Sequence, residues 1–418
     1  MNSSFRYGLI GEKLRHSYSP QIHAMLSSEP YNLIELGRDC IETFIKKREF
    51  AGVNVTIPYK KSVIPFLDQI TEIAEKIGAV NTIINKDGKL VGTNTDFSGL
   101  LALIEKNEIQ FKEKKVLILG SGGTSNTAAA VARHLEARTV IRVSRENKEG
   151  FVTYSEVTEK HRDAEVIINT TPVGMYPHNN ESPIDIEPFT KLEAVVDVIY
   201  NPLRTKLVLE ALERGIKACG GLYMLAGQGV ASGELFYGIK GDKSVIDDVY
   251  KKLLLEKENI VFSGMPGCGK TTFAKGLARE TGKIFVDTDN LIIEKTGMTI
   301  EKIFSERGEA YFRDMESEVV KDLCYVTGKV IALGGGTILR RENVSALKQN
   351  GKIYFLNKRS QDIFIPKGRP LVNDRDEMDR LFASRYYTYL STADAVITLG
   401  THKKENCDTI KKAIGITD

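Results

Sequence analysis

NIVFSGMPGCGKTTFAKGL, residues 259–277, decides how the second half of this chain folds. An apolar strand runs into a glycine-rich turn, and the turn opens a helix. Gly264, Gly269, Lys270 and Thr271 match G-x-x-x-x-G-K-[ST] in the strand-to-helix context that the motif requires. The backbone N–H groups of such a turn, with Gly267 inside it and Thr272 just after it, cradle phosphates. Lys270 can neutralise the outer phosphate oxygens, and the Thr271 hydroxyl can ligate Mg2+. ATP and Mg2+ are the expected ligands. Cys268 lies within the turn and reads as a small filler.

A second strand–turn–helix stands earlier, at KVLILGSGGTSNTAAAVARHL, residues 115–135. Gly120, Gly122 and Gly123 allow a tight turn, and the helix behind them offers free N–H groups to a pyrophosphate. The next strand, TVIRVSR, ends in Ser144 and Arg145, where chains that bind NAD usually carry an acidic residue. An arginine there suits the 2′-phosphate of NADP, the alternative being a solvated surface arginine.

Outward from these turns, apolar strands alternate with helical segments along most of the 418 residues, which predicts α/β units with largely parallel sheets. The length suits two or three domains. Apolar residues at 42% and charged residues at 27% are ordinary globular values. A formal charge of +3 gives no reason to expect nucleic acid or an anionic membrane as partner. The five cysteines are scattered without a C-x-x-C pair, which argues against a disulfide framework and for a reducing, cytoplasmic compartment. No apolar run is long enough to span a bilayer, and residues 1–20 lack the apolar core of a secretion signal. In GDKSVIDDVYKKLLLEKEN, residues 241–259, apolar positions recur at helical spacing, so a helix and a short turn should join the two halves.

Several polar side chains follow the second-half turn in a telling order. KIFVDTDNLI ends a strand with Asp287 and Asp289, which alternate to one side in extended backbone. One can hold the Mg2+ shell and the other can accept a hydroxyl proton. GEAYFRDMESE places Arg313 and Glu316 three residues apart on one helix face, where the carboxylate can fix the guanidinium. VIALGGGTIL ends a strand with Gly334, Gly335 and Gly336, bare backbone against which a ligand can lie. Arg369 and Arg385 complete the set. In the first half, HSYSP, NVTIPYK, GAVNT and GTNTDFSG are polar loops. Ser17, Ser19, Asn54, Thr56, Asn81 and Asp96 can converge there on a small polyhydroxylated ligand, with Lys60 and Asp96 as a titratable pair. Each loop alone is equally compatible with a turn or a helix cap.

Taken together and in order, HSYSP, NVTIPYK, GAVNT, NTD, GSGG, INTTPVGM, DVIYNPLRT and MLAGQ make the first 255 or so residues resemble shikimate dehydrogenase. That resemblance implies an NADPH-dependent reduction of 3-dehydroshikimate. It assigns the substrate carboxylate to Ser17 and Ser19, proton transfer to Lys60 and its partner role to Asp96. Asn54, Thr56, Asn81 and Gln228 would hold ring hydroxyls and carboxylate, and Tyr200 would line the site. The family's usual N-R-T reads here Ser144-Arg145-Glu146, which brings a negative charge near the expected 2′-phosphate. Residues from about 258 to 418 resemble shikimate kinase, through D-T-D, F-R-x-x-E, G-G-G, R-P-L and R-x-x-x-Y. By that match Asp289, Arg313, Gly335, Gly336 and Arg385 bind shikimate, and Asp289 also orients or deprotonates the attacking hydroxyl. Asp287 acts with Thr271 on Mg2+, and Arg369 belongs to a lid over the ATP phosphates.

The expected architecture is an α/β substrate domain at 1–98, completed by 222–256. A Rossmann NADP domain at 99–221 and a P-loop NTPase-type parallel α/β kinase domain at 257–418 follow. The expected chemistry is two consecutive steps of chorismate biosynthesis, in which the hydroxyl made by the first is phosphorylated by the second. A non-enzymatic metabolite sensor, or a first half that oxidises quinate or shikimate, are the alternatives.

Overall fold

The computed structural model describes residues 6–14, 17–365 and 374–416. The chain divides into two compact units, Met1–Leu253 and Leu254–Asp418. The division falls inside the helix Lys243–Lys257, and the next strand begins at Asn259, after a single intervening residue.

The first unit holds two sheets. One is mixed and contains β1 (Tyr7–Gly11), β2 (Tyr31–Glu35), β3 (Gly52–Val55), β4 (Gln69–Ile70), β5 (Thr82–Lys86) and β6 (Lys89–Thr93), in the order β2-β1-β3-β5-β6-β4. Strands β1 and β3 run parallel, and β5 returns antiparallel to β3. The β5–β6 hairpin turns on Asp87 and Gly88, both at positive φ, as a two-residue turn with the right-handed twist of its strands requires. The other sheet is wholly parallel. It contains β7 (Lys115–Leu119), β8 (Thr139–Ser144), β9 (Val152–Thr153), β10 (Val166–Asn169), β11 (Ala194–Asp197) and β12 (Lys217–Cys219), in the order β12-β11-β10-β7-β8-β9. Strand order reverses between β7 and β10, so a crevice opens at their carboxyl ends.

The second unit holds one parallel sheet: β13 (Asn259–Ser263), β14 (Ile284–Asp287), β15 (Lys329–Ala332), β16 (Gly351–Asn357) and β17 (Ala395–Thr398), in the order β14-β15-β13-β16-β17. Its apolar runs are continuous because both faces are covered. Val261, Ile331, Ile353 and Phe355 feed one core, whereas Ile260, Phe262, Val330, Tyr354 and Leu356 feed the core on the opposite face. The parallel sheet of the first unit divides in the same way: Val116 and Ile118 face one core, Leu117 and Leu119 the other.

Two helices of the first unit cross at unusually short range. A Cβ on Gly99, in helix Thr95–Lys106, would stand 2.4 Å from the Met224 carbonyl oxygen of helix Leu222–Tyr237. A Cβ on Gly227 would stand 3.1 Å from the Gly99 Cα. This crossing brings the start of the first helix, with Asp96, beside Gln228 of the second. Among the described residues, no helix is long and apolar enough to cross a membrane.

His23, in helix Ser19–Leu26, lies buried and stacked on Tyr31 with ring centroids 3.9 Å apart. Burial drives its pKa from 6.5 down to about 4, against a smaller opposing contribution from Asn54. The ring is therefore neutral in the fold. Its contribution to stability is complete above pH 6.5 and is lost as the pH falls toward 4, because the unfolded chain takes up the proton first. At pH 5 this loss is about 2 kcal/mol. His23→Phe, which keeps a flat ring in the stack, should flatten the change in urea midpoint of the first unit between pH 7 and pH 5. An unchanged slope would refute the assignment.

Candidate active sites

Strand ends and helix starts assemble the first site. Thr56 and Lys60 follow β3, and Asn94 to Asp96 follow β6. Asn94 caps helix Thr95–Lys106 by accepting the Asp96 amide at 3.1 Å, and its own NH2 donates to the Ala79 carbonyl. The cap fixes Asp96 in the first helical turn, where its Oδ2 accepts from Lys60 Nζ at 2.6 Å. The two side chains are 24% and 15% exposed, so solvent screens this ion pair less than one on the surface.

Nine of the residues marked in the sequence line one pocket of about 210 Å3 around that pair: Ser17, Ser19, Asn54, Thr56, Lys60, Asn81, Asp96, Tyr200 and Gln228. Asn81 Oδ1 accepts from the Thr95 amide and hydroxyl and from the Thr82 hydroxyl. Tyr31 donates to Asn54 Oδ1 at 2.7 Å, and Asn54 Nδ2 donates to Thr82 Oγ1 at 3.0 Å. Ser17 Oγ accepts the Ser19 amide at 3.2 Å, which holds the two serines together at the start of their helix. Burial raises the Tyr200 phenol, with Tyr18 acting in the same direction, so Tyr200 stays a neutral hydrogen-bonding group. Leu9, Val55, Val198, Met224 and Leu225 supply apolar walls.

At the β7 turn, Gly120 takes a φ of +113°, and Gly122 and Gly123 open helix Gly123–His134. A Cβ on Gly122 or Gly123 would meet no atom within 4 Å, so the approach to the helix start is open. Ser144 is buried and its hydroxyl accepts the Glu146 amide at 3.2 Å, while Arg145 is exposed at the end of β8. The other arginine of this strand, Arg142, packs 4.1 Å from the Phe151 ring centre and donates to Asn126 Oδ1.

The second site gathers at the carboxyl ends of β13, β14 and β15. Gly264, Gly267 and Gly269 all have positive φ. Lys270 is buried and donates to the Gly264 and Met265 carbonyls at 2.8 and 3.0 Å. Thr271 Oγ1 donates to Asp287 Oδ2 at 2.8 Å, and Thr272 is exposed one residue on. Asp287 caps helix Thr288–Thr296 by accepting the Asp289 amide at 3.0 Å. The long helix Ile300–Leu323 breaks at Gly308, with φ +83°, so Glu309, Arg313 and Glu316 ride on its second segment.

Arg313 is clamped from both sides, by Glu316 Oε2 at 2.8 Å and Glu309 Oε1 at 3.0 Å. Burial opposes its charge, but the two carboxylates outweigh that and move its pKa upward. Glu316 is fully buried, and its other oxygen accepts from Thr337 Oγ1 at 2.6 Å. Gly336 lies so near the Arg313 guanidinium that a Cβ there would stand 2.2 Å from Nη1. A Cβ on Gly334 would stand 2.9 Å from Asp289 Oδ1. The Gly335 carbonyl accepts from Arg385 Nη1 at 3.1 Å and from the Tyr389 hydroxyl. Asp289, Arg313, the three glycines and Arg385 thus form one cluster. Arg369 lies outside the described residues.

Sequence reasoning missed Tyr31, Thr82, Thr95, Glu309 and Thr337, which hold the marked side chains in place. Glu309 was accessible as the i−4 neighbour of Arg313 on a helix. Thr82 was accessible as the neighbour of Asn81, whereas Tyr31, Thr95 and Thr337 reach their partners through tertiary contacts.

Two family models match the chain: "Shikimate dehydrogenase substrate binding domain" over residues 9–83 and "Shikimate kinase" over residues 266–415. The NADP(+)-dependent shikimate dehydrogenase of Clostridium perfringens strain SM101 is 37% identical over 265 residues, which cover 59% of this chain and 97% of the relative. Among solved structures, a chorismate mutase/shikimate 5-dehydrogenase fusion from Clostridium acetobutylicum is 36% identical with a TM-score of 0.57, covering 60% of this chain and 98% of its own. The shikimate 5-dehydrogenase of Thermus thermophilus, solved with NADP(H) and shikimate, is 30% identical with a TM-score of 0.54, covering 59% and 99%.

Gly336→Ala should displace the Arg313 guanidinium. In a phosphoryl-transfer assay the KM for shikimate should rise at least tenfold, with ketone reduction by the first unit unchanged. An unaltered KM would show that the close approach carries no function.

Proposed function

The chain belongs to the shikimate dehydrogenase family and carries a shikimate kinase domain behind it, and from that premise we propose that both sites turn over, reducing 3-dehydroshikimate and then phosphorylating the shikimate formed. The observation that carries this reading is the Lys60–Asp96 pair inside a pocket lined by all nine residues marked for the first reaction.

NADPH, bound along the β7 turn with Arg145 toward its 2′-phosphate, would supply the hydride. The ketone oxygen gains charge as the hydride arrives, and it needs a proton. Lys60 stabilises that charge and delivers the proton, while Asp96 keeps the ammonium aimed and accepts a hydrogen bond from a neighbouring ring hydroxyl. Ser17 and Ser19 take the carboxylate. Asn54, Thr56, Asn81 and Gln228 take the remaining polar groups, and Tyr200 closes the wall.

In the kinase domain, Asp289 accepts the proton of the attacking hydroxyl. Arg313 and Arg385 hold the shikimate carboxylate against the bare backbone of Gly335 and Gly336. Lys270 and the loop amides, with Thr272 beyond them, bind the phosphates of ATP. Thr271 Oγ1 and Asp287 Oδ2 are oxygen ligands 2.8 Å apart, which suits Mg2+, an ion that takes few protein ligands beside phosphate and water. When bound there, Mg2+ would neutralise charge on the transferring phosphoryl group. Arg369 would close over the phosphates.

A coupled assay of the purified chain with 3-dehydroshikimate, NADPH and MgATP tests the reading by following both products. Lys60→Ala should lower dehydrogenase kcat by roughly 10²–10⁴-fold and leave the kinase rate intact. Lys270→Ala should do the reverse. Wild-type protein that binds shikimate but turns over neither reaction would establish a sensor instead. For the cofactor, kcat/KM with NADPH should exceed that with NADH at least tenfold, and Arg145→Ala should erase the difference. Equal values in wild type would remove Arg145 from this role.

A further inference from the structure

A buried polar cluster lies between the glycine turn of β7 and the substrate pocket, and the chemistry above makes no use of it. Asp197 ends β11 and is completely buried. Its Oδ1 accepts the Ile199 amide at 3.0 Å, and its Oδ2 accepts the Thr205 hydroxyl at 2.7 Å. Asn169 ends β10 directly opposite, and its Nδ2 donates to both Asp197 oxygens at 3.1 Å. Asn169 Oδ1 in turn accepts the Thr171 amide at 3.0 Å and the Thr171 hydroxyl at 2.7 Å. Thr170, between them, donates to the Leu119 carbonyl at 2.6 Å, and its Oγ1 lies 2.8 Å from where a Cβ on Gly120 would stand. The contacts therefore run unbroken from the glycine turn to the residue before Tyr200.

The pocket end of this chain is just as tightly set. Val198 and Tyr200 both line the pocket. The Ile199 carbonyl accepts the Gly221 amide at 2.8 Å, and a Cβ on Gly221 would stand 2.1 Å from the Val198 carbonyl oxygen. Tyr200 meets Tyr18 edge to face at 5.8 Å. A buried carboxylate is an expensive way to secure a turn, and burial pushes the Asp197 carboxyl up to about 6 although its hydrogen bonds pull the other way. Thr205 already caps helix Lys206–Glu213 by accepting the Val208 amide, so capping alone does not call for an acid beneath it. What the acid adds is three donors gathered on one group: the Asn169 Nδ2 from the neighbouring strand end, the Ile199 amide and the hydroxyl of the Thr205 cap.

We propose that Asp197 is a positioning residue of the dehydrogenase reaction, locking the Val198–Tyr200 wall of the substrate pocket in register with the Asn169–Thr171 loop beside the nucleotide turn. The proposal rests on the dehydrogenase reading of the first unit. In it, Asp197 touches neither substrate nor cofactor. It sets the relative placement of the two surfaces between which the hydride passes, where small errors in geometry are costly in rate.

The test uses the full chain, with wild type alongside and the kinase rate and the melting profile as controls for folding. Asp197→Asn keeps the size but sets NH2 against the NH2 of Asn169. It should lower dehydrogenase kcat at least tenfold with an unchanged kinase rate. The single-turnover rate constant for hydride transfer should fall with it, whereas partial unfolding would lower only the amplitude. Wild-type kcat and KM in folded Asp197→Asn would overturn the proposal, as would a reduced amplitude with an unchanged single-turnover rate constant. Should Asp197→Asn fail to fold, Thr205→Val removes one donor at nearly constant volume. A kcat reduced threefold or more then supports the proposal, and unchanged kinetics overturns it. A wild-type chain that binds shikimate without reducing 3-dehydroshikimate would fail the dehydrogenase reading separately. A shikimate Kd raised threefold or more in folded Asp197→Asn would then support the positioning of the pocket wall, and an unchanged Kd would overturn it.

Discussion

A buried sheet leaves mainly its strand ends for polar chemistry, and both active sites follow that constraint, the mixed sheet around Lys60 as well as the parallel sheet of the second unit. Its interior positions are spent on two cores, as the alternation of Val261 with Ile260 and Phe262 shows. Polar side chains are pushed to where pairing stops. Thr56 and Lys60 follow β3, Gly120 follows β7, Arg145 follows β8, and Asp197 and Tyr200 fall at the end of β11. In the second unit the phosphate turn follows β13, Asp287 and Asp289 follow the direction of β14, and Gly334 to Gly336 follow β15. Asn81 precedes its strand, yet β5 runs antiparallel to β3, so its start lies at the same edge as the end of β3.

Those edges are also where helices begin, and unsatisfied amides there need acceptors. The chain meets both needs with the same residues. Asn94 caps one helix and thereby aims Asp96 at Lys60. Asp287 caps another while it accepts from Thr271, the other oxygen marked for the metal. Helix capping and catalysis are in this sense one placement problem. A polar side chain whose backbone is pinned by a cap has less freedom to lose when a ligand arrives.

This double use explains what could be read without coordinates. Motifs carried by one strand end and the helix behind it, such as 264–271 or 94–96, keep their meaning at fixed spacing, so the architecture and most marked residues were legible. Arg313 with Glu316 was legible for the same reason, because i, i+3 spacing on a helix is a distance. Tyr31, which fixes the Asn54 amide, was not, because its partner lies 23 residues away on a different strand. The crossing at Gly99 and Gly227 was equally hidden. A glycine in a helix announces only a missing side chain, and the neighbour that requires its absence at Gly99, the Met224 carbonyl, is 125 positions further on. Ser144 and Arg145 show a third case: both belong to one short motif, yet one side chain is buried and holds the turn while the other is exposed.

Among the described residues, the side chains gathered at each site come from one unit. The pocket residues run from Leu9 to Gln228, and the kinase cluster from Gly264 to Tyr389. Each site has its own lysine, its own carboxylate and its own glycine turn, so single substitutions should separate the two reactions. What unites them is chemical: a ketone reduced in the first unit becomes a hydroxyl, and a hydroxyl is the group that, on the proposed reading, Asp289 beside Gly334 and the clamped Arg313 would activate.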